Sequence, residues 1–138
     1  MRNLFDNMGI RSEGLIHVSP REAHELCLKG ACLLDVREEY LGAFKQFDVP
    51  YIIYMPLSEI GQKFAELPDD MHFIVADSVG LRSKEAAQLL ITKGFLMIAN
   101  LAGGMVEWDR DGLPVITDTK ERLSGSCMCQ LKPREKKK

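Results

Sequence analysis

Four short apolar runs recur along the chain with helical patterns between them, and this repetition limits the possible folds more than any other feature. The runs are nearly continuous rather than alternating, which indicates strands buried on both faces, as in parallel sheets. They read CLLDV (32–36), YIIYM (51–55), HFIVA (72–76) and FLMIAN (95–100). Strands that alternate with helices predict an α/β fold with a parallel sheet and right-handed crossovers.

The segments between the runs carry helix start and stop signals. In SPREAHELCLKG, Ser19 is an N-cap, Pro20 occupies the first helical position, Glu22 completes a capping box and Gly30 ends the helix. Two more helices are predicted over 58–67, ended by a proline, and over 83–93, ended by a glycine.

Length and composition favour one domain, because 138 residues with 46% apolar side chains form one core of ordinary size. No apolar run approaches the ~20 residues of a membrane span, and the first residues, MRNLFDNMGIRSEG, contain no signal-type stretch. These features predict a cytoplasmic location without membrane attachment. The four cysteines are too unevenly spread for a secreted disulfide scaffold, so reduced thiols are expected.

Charge is distributed unevenly along the chain. Residues 119–138 hold seven Lys/Arg against two acids, while the net charge of the whole chain is −2. The short basic cluster LKPREKKK contains no aromatic residue and indicates a solvated, flexible terminus. An acidic body argues against nucleic acid as the main partner.

Residues 76–87 read ADSVGLRSKEAA, a turn-rich loop that runs into a helix. A glycine-containing loop before a helix N-terminus turns several backbone N–H groups inward and forms a cradle for an anion. Functional crevices of parallel sheets lie beyond the carboxyl ends of the strands, here at Asp35 to Arg37 and at the loop itself. The loop residues are Asp77, Ser78, Val79, Gly80, Leu81 and Arg82.

Several segments together resemble the rhodanese-like (sulfurtransferase) family over about residues 15–117. They are SPREAHELCLKGACLLDVREEY, MPLSEI, ELPDDMHFIVADSVGLRSKEAAQLLITKGF and NLAGGMVEWDRDGLPV. The resemblance implies a three-layer α/β/α domain with a central, mainly parallel sheet of about five strands. It also implies a loop that starts with a cysteine, which carries sulfane sulfur as a persulfide, and that ends in arginine.

Asp77 stands at the position of that cysteine. Asp35 and Arg37 match the family's Asp-Val-Arg motif, whose side chains support the site, and Gly103, Gly104 and Trp108 match a structural pattern. The six-position loop resembles sulfur-handling members, whereas the related phosphatases use a loop one residue longer. FDVPYI (47–52) departs from the family's Gly-His-Ile-Pro-Gly-Ala type of sequence, so the loop facing the site is expected to be reshaped.

A carboxylate forms no persulfide, because sulfur transfer needs a thiolate. We therefore expect no thiosulfate sulfurtransferase activity from this loop. The hypothesis is that the Asp77 carboxylate folds into the cradle as an internal anion, accepts N–H bonds from the loop and faces Arg82. A carboxylate nucleophile remains an alternative, but the acidic, metal-binding pattern that accompanies one is missing.

The remaining residues of chemical interest are thiols and histidines. Cys27 and Cys32 are predicted to be inert core thiols, and the histidines at 17, 24 and 72 are isolated and predict no metal site. Cys127 and Cys129, in SGSCMCQLKPR, leave three interpretations open: a redox or sulfur-carrying pair, half of a thiolate metal site, or incidental thiols.

The sequence thus predicts an N-terminal extension (1–14), a rhodanese-like domain (15–117) and a flexible basic Cys-X-Cys tail (118–138). The predicted function is a non-catalytic binding or regulatory module with a protein partner and no cofactor. The alternative is a sulfur-carrier, sulfurtransferase or redox role for Cys127 and Cys129.

Overall fold

The computed structural model describes residues 4–5, 8–38 and 45–117. Its strands are β1 (Ile10–Ser12), β2 (Leu15–Val18), β3 (Cys32–Asp35), β4 (Gln46–Phe47), β5 (Ile52–Tyr54), β6 (Phe73–Ala76), β7 (Ile98–Leu101) and β8 (Val115–Ile116). Its helices are α1 (Pro20–Leu28), α2 (Leu57–Lys63), α3 (Arg82–Thr92) and α4 (Gly104–Arg110), and a 3₁₀ turn, Phe64–Glu66, follows α2.

The main sheet has six strands in the order β1-β2-β7-β6-β3-β5. Five of these strands pair in parallel with their neighbours, in the order β2-β7-β6-β3-β5. Strand β1 is antiparallel and pairs with β2 at the edge of the sheet. Strands β4 and β8 form a separate two-stranded sheet. The predicted α/β class and mainly parallel sheet of about five strands are confirmed.

Helices cover both faces of the sheet. Ala23, Leu26 and Cys27 of α1 and Met105 and Trp108 of α4 belong to the core on one face. The core on the other face includes Ile60 of α2 and Ala86, Ala87 and Leu90 of α3. Successive strand residues point to opposite faces, so each buried strand supplies side chains to both cores. This arrangement is the predicted three-layer sandwich.

Local signals at the helix ends agree in part with the sequence predictions. The Ser19 hydroxyl accepts the N–H of Glu22, and the Glu22 carboxylate accepts the N–H of Ser19, which is the predicted capping box. Glu38 in turn accepts both the N–H and the hydroxyl of Ser58 in the first turn of α2. The prediction of one continuous helix over 58–67 was wrong, because the α-helix ends at Lys63 and tightens into the 3₁₀ turn.

The predicted extension 1–14 includes described residues that pack on the domain. Phe5 is buried in the core beside α1, and its ring lies edge-on to His72. The backbone N–H of Leu4 is 2.9 Å from Nε2 of the same histidine. The segment around β1 therefore contributes to the folded unit rather than only preceding it.

Candidate functional site

The two predicted site segments lie at the carboxyl edge of neighbouring strands. Strands β3 and β6 pair in parallel with Asp35 opposite Ala76, so both strands end at the same level of the sheet. The loop 77–82 follows β6 directly and leads into α3. This edge is where ligand sites of parallel sheets form, because the chain leaves the strands there in loops.

Asp77 is buried, with 3% of its surface exposed, and its carboxylate points into its own loop. Oδ1 accepts the backbone N–H of Gly80 at 2.5 Å, and Oδ2 accepts the backbone N–H of Arg82 at 2.9 Å. The hydroxyl of Ser83 lies 3.3 Å from Oδ1. The carboxylate therefore occupies donors that an external anion would otherwise use.

Arg82 contributes its main chain rather than its charge to this contact. Its N–H begins α3 and donates to Asp77, whereas its side chain is exposed. The prediction placed Asp77 opposite Arg82, and the structure brings the carboxylate to the peptide N–H of that residue. Peptide donors are held rigidly by the backbone, so this contact costs no ordering of a long side chain.

Helix α4 holds the loop through two backbone hydrogen bonds. The N–H of Met105 donates to the carbonyl of Asp77 at 2.8 Å, and the N–H of Val106 donates to the carbonyl of Ser78 at 3.0 Å. Gly104 has a φ of +59°, and a Cβ built on it would lie 2.5 Å from the Asp77 carbonyl oxygen. Glycine is therefore required there, both for the left-handed backbone and for the close approach.

Gly80 has the same double requirement within the loop. Its φ is +95°, and a Cβ would lie 2.9 Å from the backbone nitrogen of Gly103. The loop is thus fixed between the start of α3 and the start of α4. Three apolar side chains stand exposed around it, Val79, Leu81 and Val106, which we call the loop rim.

Asp35 and Arg37 form a buried ion pair beside the loop. Two guanidinium nitrogens of Arg37 contact the Asp35 carboxylate at 3.1 and 2.8 Å, and Asp35 Oδ1 also accepts the N–H of Arg37. Arg37 further donates to the carbonyl of Lys45 at 2.8 Å and lies over the ring of Phe47. These contacts attach the segment that starts at Lys45 to the end of β3.

The core thiols are unsuited to sulfur chemistry. Cys27 and Cys32 are fully buried, and burial raises the pKa of each thiol to about 12. At neutral pH they stay protonated and lack the thiolate that attacks a sulfur donor.

Cys127 and Cys129 lie outside the described residues. Within the described ranges, no group of three His, Cys, Asp or Glu side chains could hold a metal ion.

Three residues near Asp77 were not predicted as part of the site: Ser83, Asn100 and His17. The Ser83 hydroxyl contacts the amide of Asn100 at 2.5 Å, and that amide contacts Nδ1 of His17 at 3.2 Å. The signal that could have pointed to Asn100 is its position, because it is a polar residue inside an otherwise apolar strand that neighbours β6. The prediction that His17 is isolated rested on the absence of a carboxylate or cysteine at ligand spacing, whereas the pairing of β2 with β7 brings His17 beside Asn100.

Trp108 has the structural role that was expected of it. Its ring is fully buried, its Nε1–H donates to the carbonyl of Pro114 at 2.8 Å, and it meets Phe47 edge-on. His24 lies edge-on against the same ring, and His72 contacts Phe5.

Among the described residues, no helix is long and apolar enough to cross a membrane.

The fold and the loop define an α/β domain whose loop at the carboxyl edge of a parallel sheet turns two N–H groups inward. A family model described as a rhodanese-like domain matches residues 19–111. The chain belongs to the rhodanese-like family, as the sequence motifs predicted.

Two relatives illustrate the range of similar sequences. The rhodanese-like domain-containing protein 17 of Arabidopsis thaliana is 30% identical over 119 residues, which cover 78% of this chain and 76% of that protein. The thiosulfate sulfurtransferase GlpE of Actinobacillus pleuropneumoniae is 30% identical over 107 residues, covering 77% of this chain and 97% of the enzyme. A rhodanese-related protein of Thermoplasma volcanium superposes with a TM-score of 0.67 at 29% identity, covering 74% and 98% of the two chains.

Proposed function

We propose that this chain is a non-catalytic rhodanese-like domain that acts as a binding or regulatory module. The observation that carries the proposal is the Asp77 carboxylate, which occupies the N–H groups of Gly80 and Arg82 at the loop position where the family carries its cysteine. A carboxylate cannot hold a sulfane sulfur atom as a persulfide, so sulfur transfer at this position has no carrier.

The surroundings of the loop support binding rather than chemistry. The core thiols, Cys27 and Cys32, are buried and protonated, which leaves no reactive thiol among the described residues. The loop rim leaves large apolar side chains in solvent: Leu81 is 67% exposed and Val79 is 52% exposed. Exposed apolar groups that cluster beside a fixed loop favour a protein partner over a small polar substrate.

The test is transfer of sulfur from thiosulfate to cyanide by the full chain and by Asp77→Cys. We expect background turnover from the full chain, and sulfur uptake by the variant. The introduced thiol replaces the carboxylate beside two backbone N–H donors and the start of α3, which stabilise a thiolate. Robust turnover by a Cys127→Ser/Cys129→Ser variant that retains Asp77 would overturn the proposal.

The alternative function assigns sulfur or redox chemistry to the tail thiols, Cys127 and Cys129. It rests on the sequence alone and on their position in a Cys-X-Cys pair among cations, a setting that favours thiolate. Mass spectrometry after incubation with thiosulfate separates the two functions. A persulfide on Cys127 or Cys129 of the full chain would favour the carrier, whereas an unmodified pair favours the module.

A further inference from the structure

The loop rim presents exposed apolar side chains on two elements that a hydrogen bond joins. Val79 and Leu81 belong to the loop, and Val106 belongs to the first turn of α4. The N–H of Val106 donates to the carbonyl of Ser78 at 3.0 Å, so α4 lies directly beside the residue that precedes Val79. Because burial of exposed valine and leucine side chains is favourable, the rim is a surface on which an apolar segment gains stability.

The last described strand, β8, ends close to this surface. It pairs antiparallel with β4, so Ile116 lies opposite Gln46. Lys45, the residue before Gln46, contacts the Asp109 carboxylate of α4 at 2.6 Å. Asp109 follows Val106 by three residues, and residues three apart are neighbours on the surface of a helix. The chain that follows β8 therefore starts near the α4 side of the rim.

A second set of contacts places this exit at the carboxyl edge of the main sheet. Arg37, which follows β3, donates to the carbonyl of Lys45 at 2.8 Å. Asp35, the last residue of β3, lies opposite Ala76, which directly precedes Asp77. The exit of the chain and the loop therefore share one edge of the sheet.

The sequence after β8 contains one group of apolar residues. Residues 118–138 read DTKERLSGSCMCQLKPREKKK, and four of the five apolar side chains fall within CMCQL (127–131). Cys127 is the tenth residue after Thr117, and an extended chain of that length reaches about 33 Å. This reach exceeds the diameter of a helix with its side chains, about 10–12 Å. The segment 127–131 can therefore cross α4 and contact the rim.

Opposite charges favour contact between this terminus and the rest of the chain. Residues 119–138 carry a net charge of +5 and the whole chain carries −2, so residues 1–118 carry −7. Along α4 and its end, three acids follow the rim residue against one base, Arg110: Glu107, Asp109 and Asp111. Opposite charges raise the rate of encounter. A covalently attached segment also meets its site at an effective concentration of about millimolar, which favours this segment over that of a separate protein.

We propose that residues 127–131 of this chain dock on the loop rim, with Met128 and Leu131 as the apolar side chains that cover it. The inference rests on the proposed function, because it takes the rim as a surface that binds a protein segment. Docking fills the rim from within the same chain. An external protein partner then reaches the rim only after the segment leaves, so the segment regulates binding at this site.

The first test compares amide resonances of the full ¹⁵N-labelled chain at low ionic strength. In Met128→Ser/Leu131→Ser, the resonances of the rim residues should shift from their wild-type positions, because the segment no longer covers them. Leu123→Ser is the matched control, because it removes an apolar side chain of the same terminus outside 127–131, and it should leave these resonances in place. Rim resonances that are identical in the wild type and in the double variant would overturn the proposal.

The second test measures cross-linking in the full-length Arg110→Cys/Cys129→Ser variant, which keeps Cys127 as the thiol of the terminus. Arg110 is exposed on α4, four residues after Val106. Oxidised glutathione supplies the oxidant, and mass spectrometry of peptides measures the disulfide between positions 110 and 127. We expect a rate that does not change when the protein is diluted, because both thiols belong to one chain. A rate that rises with protein concentration would identify a second copy as the occupant and overturn the proposal.

A change at the rim separates docking from chance collision of a tethered thiol. Adding Leu81→Ser to the cross-linking variant should slow disulfide formation by about tenfold, because the docked state loses an apolar contact. Leu96→Ser is the matched control, because Leu96 is 88% exposed and lies between α3 and β7, away from the rim. Equal rates with Leu81→Ser and Leu96→Ser would overturn the docking.

The docking and the proposed function fail in different measurements. Sulfur turnover by the wild type would overturn the proposed function, even if the rim resonances respond to Met128→Ser/Leu131→Ser. Rim resonances that do not respond, in a chain without sulfur turnover, would overturn the docking alone.

Discussion

Asp77 shows how one side chain can occupy the backbone donors of its own loop. Gly80 supplies the left-handed turn and Arg82 begins the next helix, and the N–H groups of both residues point to the carboxylate. Two of the donors are occupied by the protein's own carboxylate. A charged hydrogen bond of this kind contributes about 1.5–3 kcal/mol, so these two bonds stabilise the observed conformation of the loop.

Removing this carboxylate should convert the loop into an anion site. In Asp77→Ala, the N–H groups of Gly80 and Arg82 lose their acceptor, which should lower the free energy of unfolding by about 1–3 kcal/mol. Sulfate or thiosulfate should then bind the variant and restore stability, by about 2.7 kcal/mol at a concentration of 100 times Kd. Calorimetry and thermal unfolding measure both effects.

Glu85→Ala is the matched control, because it removes a negative charge from the exposed side of the first turn of α3 without opening the loop. It should bind sulfate no better than the wild type. Equal anion binding by the wild type and Asp77→Ala would mean that the carboxylate does not occupy the site.

The contact between α4 and the loop depends on glycine backbone geometry. Ala at position 104 would adopt a left-handed φ of +59° and place its Cβ 2.5 Å from the carbonyl oxygen of Asp77. We expect Gly104→Ala to lower the free energy of unfolding by about 1–3 kcal/mol from the backbone conformation alone.

Gly61→Ala is the control, because Gly61 lies in α2 with nothing near its Cβ position. It should be neutral or stabilising by about 0.5–1 kcal/mol in urea unfolding. Equal effects of the two changes would contradict a role for the close approach.

The ion pair at the end of β3 should be sensitive to truncation of either partner. Arg37→Met leaves the fully buried carboxylate of Asp35 without its counter-charge, which should cost about 3–5 kcal/mol. Lys45→Ala removes only an exposed pair with Asp109 and should cost about 0–1 kcal/mol. Urea unfolding of both variants compares them directly, and a small effect of Arg37→Met would show that Asp35 finds another partner.

The sequence predicted the elements that carry a repeated apolar pattern, and it missed elements whose conformation has no such pattern. All four apolar runs contain strands, although FLMIAN begins its strand only at Ile98. Strand β2 was missed because LIHV is short and places a histidine inside an apolar run. Helix α4 was missed because it begins with two glycines, which are typical of turns; their positive φ values belong to its start.

The candidate site was predicted at the level of segments, not of contacts. The loop and the Asp35–Arg37 motif were placed from the edge of the sheet and the family resemblance. Ser83, Asn100 and His17 could not be joined to Asp77 in advance, because their meeting depends on the order β2-β7-β6 of the sheet. A strand order in which sequence neighbours are separated cannot be derived from local periodicity.

At the scale of the whole molecule, two kinds of buried polar or reactive groups lie in different surroundings. Asp77, Ser83 and Asn100 form one connected network on the α3 side. Cys27 and Cys32 lie elsewhere, in separate apolar cores on opposite faces of the sheet. Polar groups that are buried in a network keep their hydrogen bonds, whereas thiols buried among hydrocarbon side chains lose access to the charged form.

The apolar surroundings of the two core cysteines predict how they react. Burial raises the pKa of Cys27 and Cys32 from 9.0 to about 12, so the folded state holds their protons more tightly than the unfolded chain does. The stability that this contributes is fully present below pH 9.0 and should be lost as pH rises toward about 12.

In a Cys127→Ser/Cys129→Ser variant at about pH 8, a thiol reagent should label no cysteine in the folded protein and both core cysteines in denaturant. Mass spectrometry locates the labels. Rapid labelling of Cys27 or Cys32 in the folded variant would mean that the core opens readily, and these thiols would then have to be reconsidered as sulfur carriers.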